Sequence, residues 1–233
     1  MYLGGIYFDS TLLLMIPAIL LTLFAQAKVK SAFSQYLKVS SKKGYTGYDV
    51  ARGILDQNGL YNVSIERSRG QLSDHYDPSK KVVRLSNDVY DKDSIASVSL
   101  AAHEVGHAIQ HAKGYQPLNL RSALFPAAKI GSSISWFFIV FGILIPQNPP
   151  VMLNIGIGLF SAAVIFQIAT LPVEFNASSR AVKLLADGGY LENSEIKHSK
   201  KVLNAAALTY VAAAATAVLQ LLRLILIRNR RSS

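Results

Sequence analysis

The chain has 233 residues, no cysteine and a formal charge of +10, and 51% of its residues are hydrophobic. Without cysteine there is neither a disulfide framework nor a thiolate metal site, so any metal must take nitrogen and oxygen ligands from His, Asp or Glu. No aromatic RNA platform or helix-turn-helix pattern accompanies the charge, so nucleic acid is not an expected partner; lysines and arginines flanking membrane spans, with lipids as partners, explain it better.

The first apolar block, Leu12 to Ala27 (LLLMIPAILLTLFAQA), with aromatic and apolar residues before it from Ile6, is just long enough to cross a bilayer core of about 30 Å. Residues 1–27 are therefore read as an N-terminal transmembrane helix. No basic cluster precedes the block, as a cleaved signal peptide would require, whereas Lys28, Lys30, Lys38, Lys42 and Lys43 follow it. The positive-inside rule then places the N-terminus outside and the next segment in the cytoplasm.

Residues 28–124 have mixed polarity and no span-length apolar run, and are read as a cytoplasmic catalytic region. VSIERS and KVVRLS are strand-like, and the Gly, Asp and Pro residues of RGQLSDHYDPSK between them suggest a hairpin. DSIASVSLAAHEVGHAIQHAKG reads as a helix, with Asp93 accepting from free N–H groups at its start and Gly114 stopping it in the left-handed conformation.

Residues 125–171 hold two more apolar blocks, Phe125 to Ile145 and Val151 to Leu171, joined by PQNPP: a transmembrane hairpin. Lys129, near its start, can snorkel to a cytoplasmic interface. Residues 172–204 are polar again and read as cytoplasmic helices, EFNASSRAVKLLADGG ending at Gly188 and Gly189 and a second helix starting near Asn193. Residues 205–233 form an Ala-rich apolar block running into Arg223, Arg228, Arg230 and Arg231. A fourth span would put this basic tail outside, against the positive-inside rule; the span is favoured, the side of the tail stays open, and an interfacial helix is the alternative. The expected fold is thus a mainly α integral membrane protein, with about four transmembrane helices and a small cytoplasmic α+β zincin-like catalytic domain.

The chemistry concentrates in HEVGH, residues 103–107. Helical spacing puts His103 and His107 on one face about 6 Å apart along the axis, close enough for both imidazoles to hold one zinc ion. Glu104 projects beside them, where its carboxylate can take a proton from a water that the metal polarises. Small residues Ala102, Gly106 and Ala108 leave room for close packing or a ligand around the helix.

The third ligand must come from elsewhere. His111 lies about 12 Å along the axis from His103, too far to share a tetrahedral ion on a straight helix, and is expected to cap or pack the helix end. The metzincin pattern is excluded, because Gln110 stands where it needs glycine and Lys113 where it needs the last histidine. Glu174 in LPVEFNASSR is the best candidate, since it follows an even number of spans and so returns to the side of His107; it is placed at the opening of a helix, where a plain helix-start acid is the structural alternative. Glu192 and Glu195 share that side but lie beyond the Gly188–Gly189 break. His75 is read as a turn histidine, with approach to the metal or a substrate carbonyl as the alternative. KVVRLS is read either as an edge strand that pairs with an extended substrate or as a structural strand.

HEVGHAIQ, preceded by DHYDP and followed by the apolar hairpin and LPVEFNAS, resembles the YugP-like neutral zinc metallopeptidases of bacterial membranes over nearly the whole chain. The plan is also similar to that of the HtpX-like membrane peptidases. The resemblance implies His103, His107 and Glu174 as zinc ligands and Glu104 as catalytic base and acid. It departs in one respect: HtpX-like enzymes carry an aspartate four residues after the ligand glutamate, where this chain has Ser178, so no carboxylate is supplied there to orient a ligand histidine. The expectation is a membrane zinc endopeptidase acting on membrane-associated proteins or peptides. The rival is a non-enzymatic membrane adaptor or scaffold whose metal site, if present, braces the fold.

Overall fold

The computed structural model describes residues 2–3, 6–7, 10–145 and 151–232. A short ladder pairs β1 (Tyr2–Leu3) with β2 (Ile6–Tyr7), and a 3-10 turn, Ser10–Leu14, leads into α1 (Met15–Tyr36). Then come α2 (Gly47–Gln57), β3 (Ser64–Ser68), β4 (His75–Asp77), β5 (Val82–Ser86), α3 (Asn87–Asp91) and α4 (Ile95–Ala112). Three long helices complete the chain: α5 (Gln116–Leu144), α6 (Val151–Asp187) and α7 (Asn193–Ser232). The expected PQNPP hairpin tip lies outside the described residues.

The chain divides into two compact units. The first comprises residues 1–24, 120–169 and 210–233. Its helices belong to the four, Thr11–Tyr36, Gln116–Leu144, Val151–Asp187 and Asn193–Arg230, that are long and apolar enough to cross a membrane. Large apolar side chains such as Leu20, Leu23, Phe24, Phe137 and Leu144 lie exposed on it, an area that water would not tolerate and lipid would. Glycines let α5 and α6 approach closely: a Cβ on Gly131 would come within 2.7 Å of the Leu159 carbonyl oxygen, and one on Gly142 within 2.9 Å of the Leu153 nitrogen.

α7 is one continuous helix into its arginine-rich end, which supports a fourth span over an interfacial helix. Arg223 Nε donates to Thr11 Oγ1 at 3.3 Å and Arg228 Nε to Asn154 Oδ1 at 3.0 Å, so the basic end lies with the N-terminal turn and the start of α6.

The second unit comprises residues 25–119 and 170–209. α2 has no counterpart among the elements expected from sequence, although Thr46 and Asp49 form a capping box at its start and Gly59 (φ +72°) follows its end. One face of α2, carrying Val50, Ala51, Ile54 and Leu55, packs in a core with Val98, Ala101, Ala102 and Val105 of α4. α4 begins one residue later than expected: Ser94, not Asp93, is its cap, and its side chain accepts from the Ser97 N–H. Gly114 ends the helix at φ +60°, as expected.

The sheet corrects two readings. Its order is β3-β5-β4, with β3 parallel to β5, so VSIERS and KVVRLS do not form a hairpin. The segment between them contributes its own strand, β4, which turns back antiparallel onto β5 through residues 78–81. There Asp77 Oδ1 accepts from the N–H groups of Ser79 and Lys80 at 3.0 and 3.2 Å, closing the turn. β5 is therefore central rather than an edge, and buries Val82, Val83, Leu85 and Ser86. Glu174 is also not at a helix start: α6 runs unbroken through Pro172 to Asp187 and carries it far inside.

Gly47 marks the tightest approach in this unit, for a Cβ there would lie 1.9 Å from the Val89 carbonyl oxygen. Gly47→Ala should therefore destabilise the protein by about 1–3 kcal/mol, the usual cost of overpacking. A melting temperature equal to the parent's in the detergent-solubilised chain would refute that close contact.

Candidate metal centre

α4 and α6 bring the three predicted ligands together. Among the described residues His103, His107 and Glu174 form the group whose ligand atoms all lie within 4.8 Å of one another. Glu174 Oε2 is 3.3 Å from His103 Nε2 and 3.5 Å from His107 Nε2, and the two imidazoles stand nearly perpendicular with centroids 4.8 Å apart. These spacings fit the group expected: a tetrahedral ion with bonds of about 2.0–2.1 Å sets its ligand atoms about 3.3 Å apart. All three residues are at least nine-tenths buried.

Local packing explains the approach. Gly106 lies one residue before His107, and a Cβ on it would meet the Ala177 carbonyl oxygen at 3.0 Å, so α6 seats against α4 where α4 has no side chain. Glu174, one helical turn before Ala177, thereby reaches the imidazoles. The small flank noted in the sequence serves close packing.

The far nitrogens of both rings are held. His103 Nδ1 is 3.2 Å from Ser178 Oγ, so the residue that departs from the HtpX-like pattern still touches that histidine, as a neutral hydroxyl. His107 Nδ1 is 3.0 Å from Gln110 Oε1. Gln110, fully buried, donates through Nε2 to the Val173 carbonyl and to Asn176 Oδ1, both at 2.9 Å, and Asn176 Oδ1 also accepts from Arg180 Nε at 2.8 Å. Burial pushes the His107 imidazole down, but its bonds to Glu174 and Gln110 and the nearby Glu104 charge outweigh this and hold it above its ordinary range.

Glu104, 8% exposed, lies in the same buried stretch of α4. Near it in charge, though far in sequence, is Asp74, which no sequence motif singles out. Its carboxylate accepts from the Ser86 N–H at 2.7 Å and from Ser86 Oγ, tying the start of β4 to the end of β5. Burial raises the Asp74 carboxyl above its usual range, with Glu104 adding repulsion and Ser86 opposing.

The remaining histidines of this region stand apart from the cluster. His111 Nδ1 bonds the Tyr76 hydroxyl at 2.9 Å, packing the helix end against β4 as expected. His75 is exposed at the start of β4, with Nδ1 2.9 Å from the Ser73 carbonyl. Glu192 pairs with Lys42 and Glu195 accepts from the Lys42 N–H, so both close the start of α7 onto the segment after α1.

Four helices long and apolar enough to cross a membrane, and a buried cluster of two histidines from an H-E-x-x-H helix with a glutamate from α6, fit the class of helical membrane proteins with a metallopeptidase-type site. Residues 11–229 match the family described as "Putative neutral zinc metallopeptidase", and the chain belongs to it. It is 50% identical over 214 residues to the Bacillus subtilis (strain 168) protein named "Putative membrane protease YugP", covering 92% of this chain and 94% of that protein. No solved structure is significantly similar to the chain.

The raised carboxyl of Asp74 gives a pH test. Because folding favours its protonated form, the ionised group costs stability above its folded pKa, and the cost vanishes below the unfolded value of about 3.9. Asp74→Asn, which keeps an acceptor for Ser86, should melt higher than the parent at pH 7 and lose that advantage as the pH falls towards 4. A gap that widens on acidification would contradict the assignment.

Proposed function

We propose that the protein is a membrane-embedded zinc endopeptidase. The observation that carries this reading is the meeting of His103, His107 and Glu174 around one point, with Glu104 buried on the same helix. The family and the relative's name support a protease role at the coarser level.

His103, His107 and Glu174 would hold the zinc. When bound, zinc supplies a Lewis acid that polarises a peptide carbonyl and lowers the pKa of water to about 7. Glu104 accepts the proton of the attacking water as its oxygen bonds the carbonyl carbon, then delivers that proton to the leaving amine as the C–N bond breaks. Gln110 and Ser178 hold the imidazoles during this exchange. Burial of the cluster limits bulk water around the reacting groups.

The lysines after the first span, Lys28, Lys30, Lys38, Lys42 and Lys43, support a cytoplasmic side for the 25–119 and 170–209 unit by the positive-inside rule. Membrane anchorage supports membrane-associated proteins or peptides as substrates and lipids as partners. With β5 central, the strand edge left for an extended substrate beside the site is that of β4, which has no strand on its outer side among the described residues and packs against α4.

Glu104→Gln should bind zinc as the parent does and lose proteolysis of an unfolded protein substrate by at least about 10²-fold. Equal cleavage rates would overturn the mechanism. A parent that binds zinc but hydrolyses nothing in a Glu104-dependent way would leave a membrane scaffold with a structural metal.

A further inference from the structure

We propose that Gln110 is a positioning residue that sets the tautomer of His107 and ties the two ligand-bearing helices into one metal-ready geometry. The proposal rests on the zinc-site reading above and adds to it a role for a residue outside the ligand set.

The direction of the Gln110 amide is fixed by its neighbours. Its nitrogen and oxygen differ little in shape, but the Val173 carbonyl oxygen has no proton to give and can only accept. The Gln110 atom 2.9 Å from it must therefore be the NH₂ group. That nitrogen also reaches Asn176 Oδ1 at 2.9 Å, using both of its hydrogens. The Asn176 amide is constrained in turn, since Arg180 Nε is purely a donor and sits 2.8 Å from the same oxygen. A guanidinium that can only donate and a backbone carbonyl that can only accept thus leave Gln110 one orientation.

Its oxygen consequently faces His107 Nδ1 at 3.0 Å, where it can only accept. His107 must carry its hydrogen on Nδ1. Nε2, turned towards Glu174 Oε2 at 3.5 Å, is then the nitrogen left to give its lone pair to a metal when one is bound. The opposite tautomer would set two lone pairs against each other inside a buried site.

The same side chain acts across the helix pair. Gln110 lies three residues after His107 on α4, one turn along the same face. Its donors hold Val173, directly before Glu174, and Asn176, two residues after it. One fully buried amide therefore orients a ligand on α4 and grips both flanks of the ligand on α6.

The test measures zinc affinity by chelator competition, using the metal alone and the full chain in detergent micelles. Gln110→Met keeps the volume and removes every hydrogen bond; it should weaken zinc binding about 10–100-fold, the usual effect of removing a partner that orients a ligand. The metal-free variant should melt within a few degrees of the parent, and its cobalt(II) absorption spectrum should change. Gln110→Glu restores an acceptor for His107 but sets an oxygen against the Val173 carbonyl and Asn176 Oδ1, so it should recover only part of the lost zinc affinity while moving the cobalt spectrum back towards the parent's. A Gln110→Met protein that binds zinc as tightly as the parent, with an unchanged cobalt spectrum, overturns the proposal; loss of binding in Glu174→Gln beside it shows that the site reading itself survives. If the parent binds no zinc, both fall together. Should Gln110→Met not fold, Gln110→Asn withdraws the amide by one methylene and decides the proposal by the same two measurements.

Discussion

One α-helix can offer two imidazoles to a metal, but its rise carries the next same-face histidine away too quickly to offer three. Much of the unit formed by residues 25–119 and 170–209 can be understood as a solution to that limit. A second helix must deliver a carboxylate to within about 3.5 Å of both rings, which requires the two backbones to come closer than ordinary side chains allow. Gly106 makes the approach possible by leaving the Ala177 carbonyl nothing to strike. α2 supports α4 from its own side through Val50, Ala51, Ile54 and Leu55, so the ligand helix is held by an apolar core as well as by α6.

Burial strengthens the cluster and makes it costly. Polar groups taken out of water must be satisfied, and here the bonds run outwards from the ligands in an ordered series: His103 to Ser178, His107 to Gln110, Gln110 to Val173 and Asn176, and Asn176 to Arg180. The series ends at a half-buried arginine near the surface rather than at an unsatisfied interior group. All of its members lie on two short stretches, residues 103–110 and 173–180, so a small movement between the helices would disturb several bonds at once.

Much of this is legible in the sequence, for definable reasons. Four apolar blocks of span length appear as four helices long and apolar enough to cross a membrane. Helix spacing and the counting of spans point to His103, His107 and Glu174, and the structure gathers those three residues; His111 falls outside the set on length alone and bonds Tyr76 instead. Other features are hidden because local signals compete. Pro172 reads as a break between a span and a polar helix, yet a proline removes only one helical donor, and α6 continues through it. KVVRLS does not alternate cleanly, and adjacent Val82 and Val83 already hint at burial on both faces, the mark of a central strand. Gln110 stands out in the sequence only as the wrong residue for a metzincin turn, because an amide's role depends on partners that lie more than sixty residues away.

The charge balance of the site supplies the last step. Neither residue that touches the far side of a ligand ring is ionised: Ser178 offers a hydroxyl and Gln110 an amide. The negative charge instead comes from Glu174 of α6 between the rings and Glu104 on the helix of the two histidines, with Asp74 near enough to Glu104 to feel its repulsion. Acids gathered in a buried space repel one another and lose hydration. A divalent cation held by His103, His107 and Glu174 would offset that cost by lowering the potential at the carboxylates. A neutral partner on each imidazole would also leave a bound ion less compensated than an aspartate would, preserving its power to polarise what it binds. The serine that departs from the HtpX-like pattern thus fits a site whose negative charge is concentrated where it could meet a metal, and kept off the residues that touch the far side of the rings.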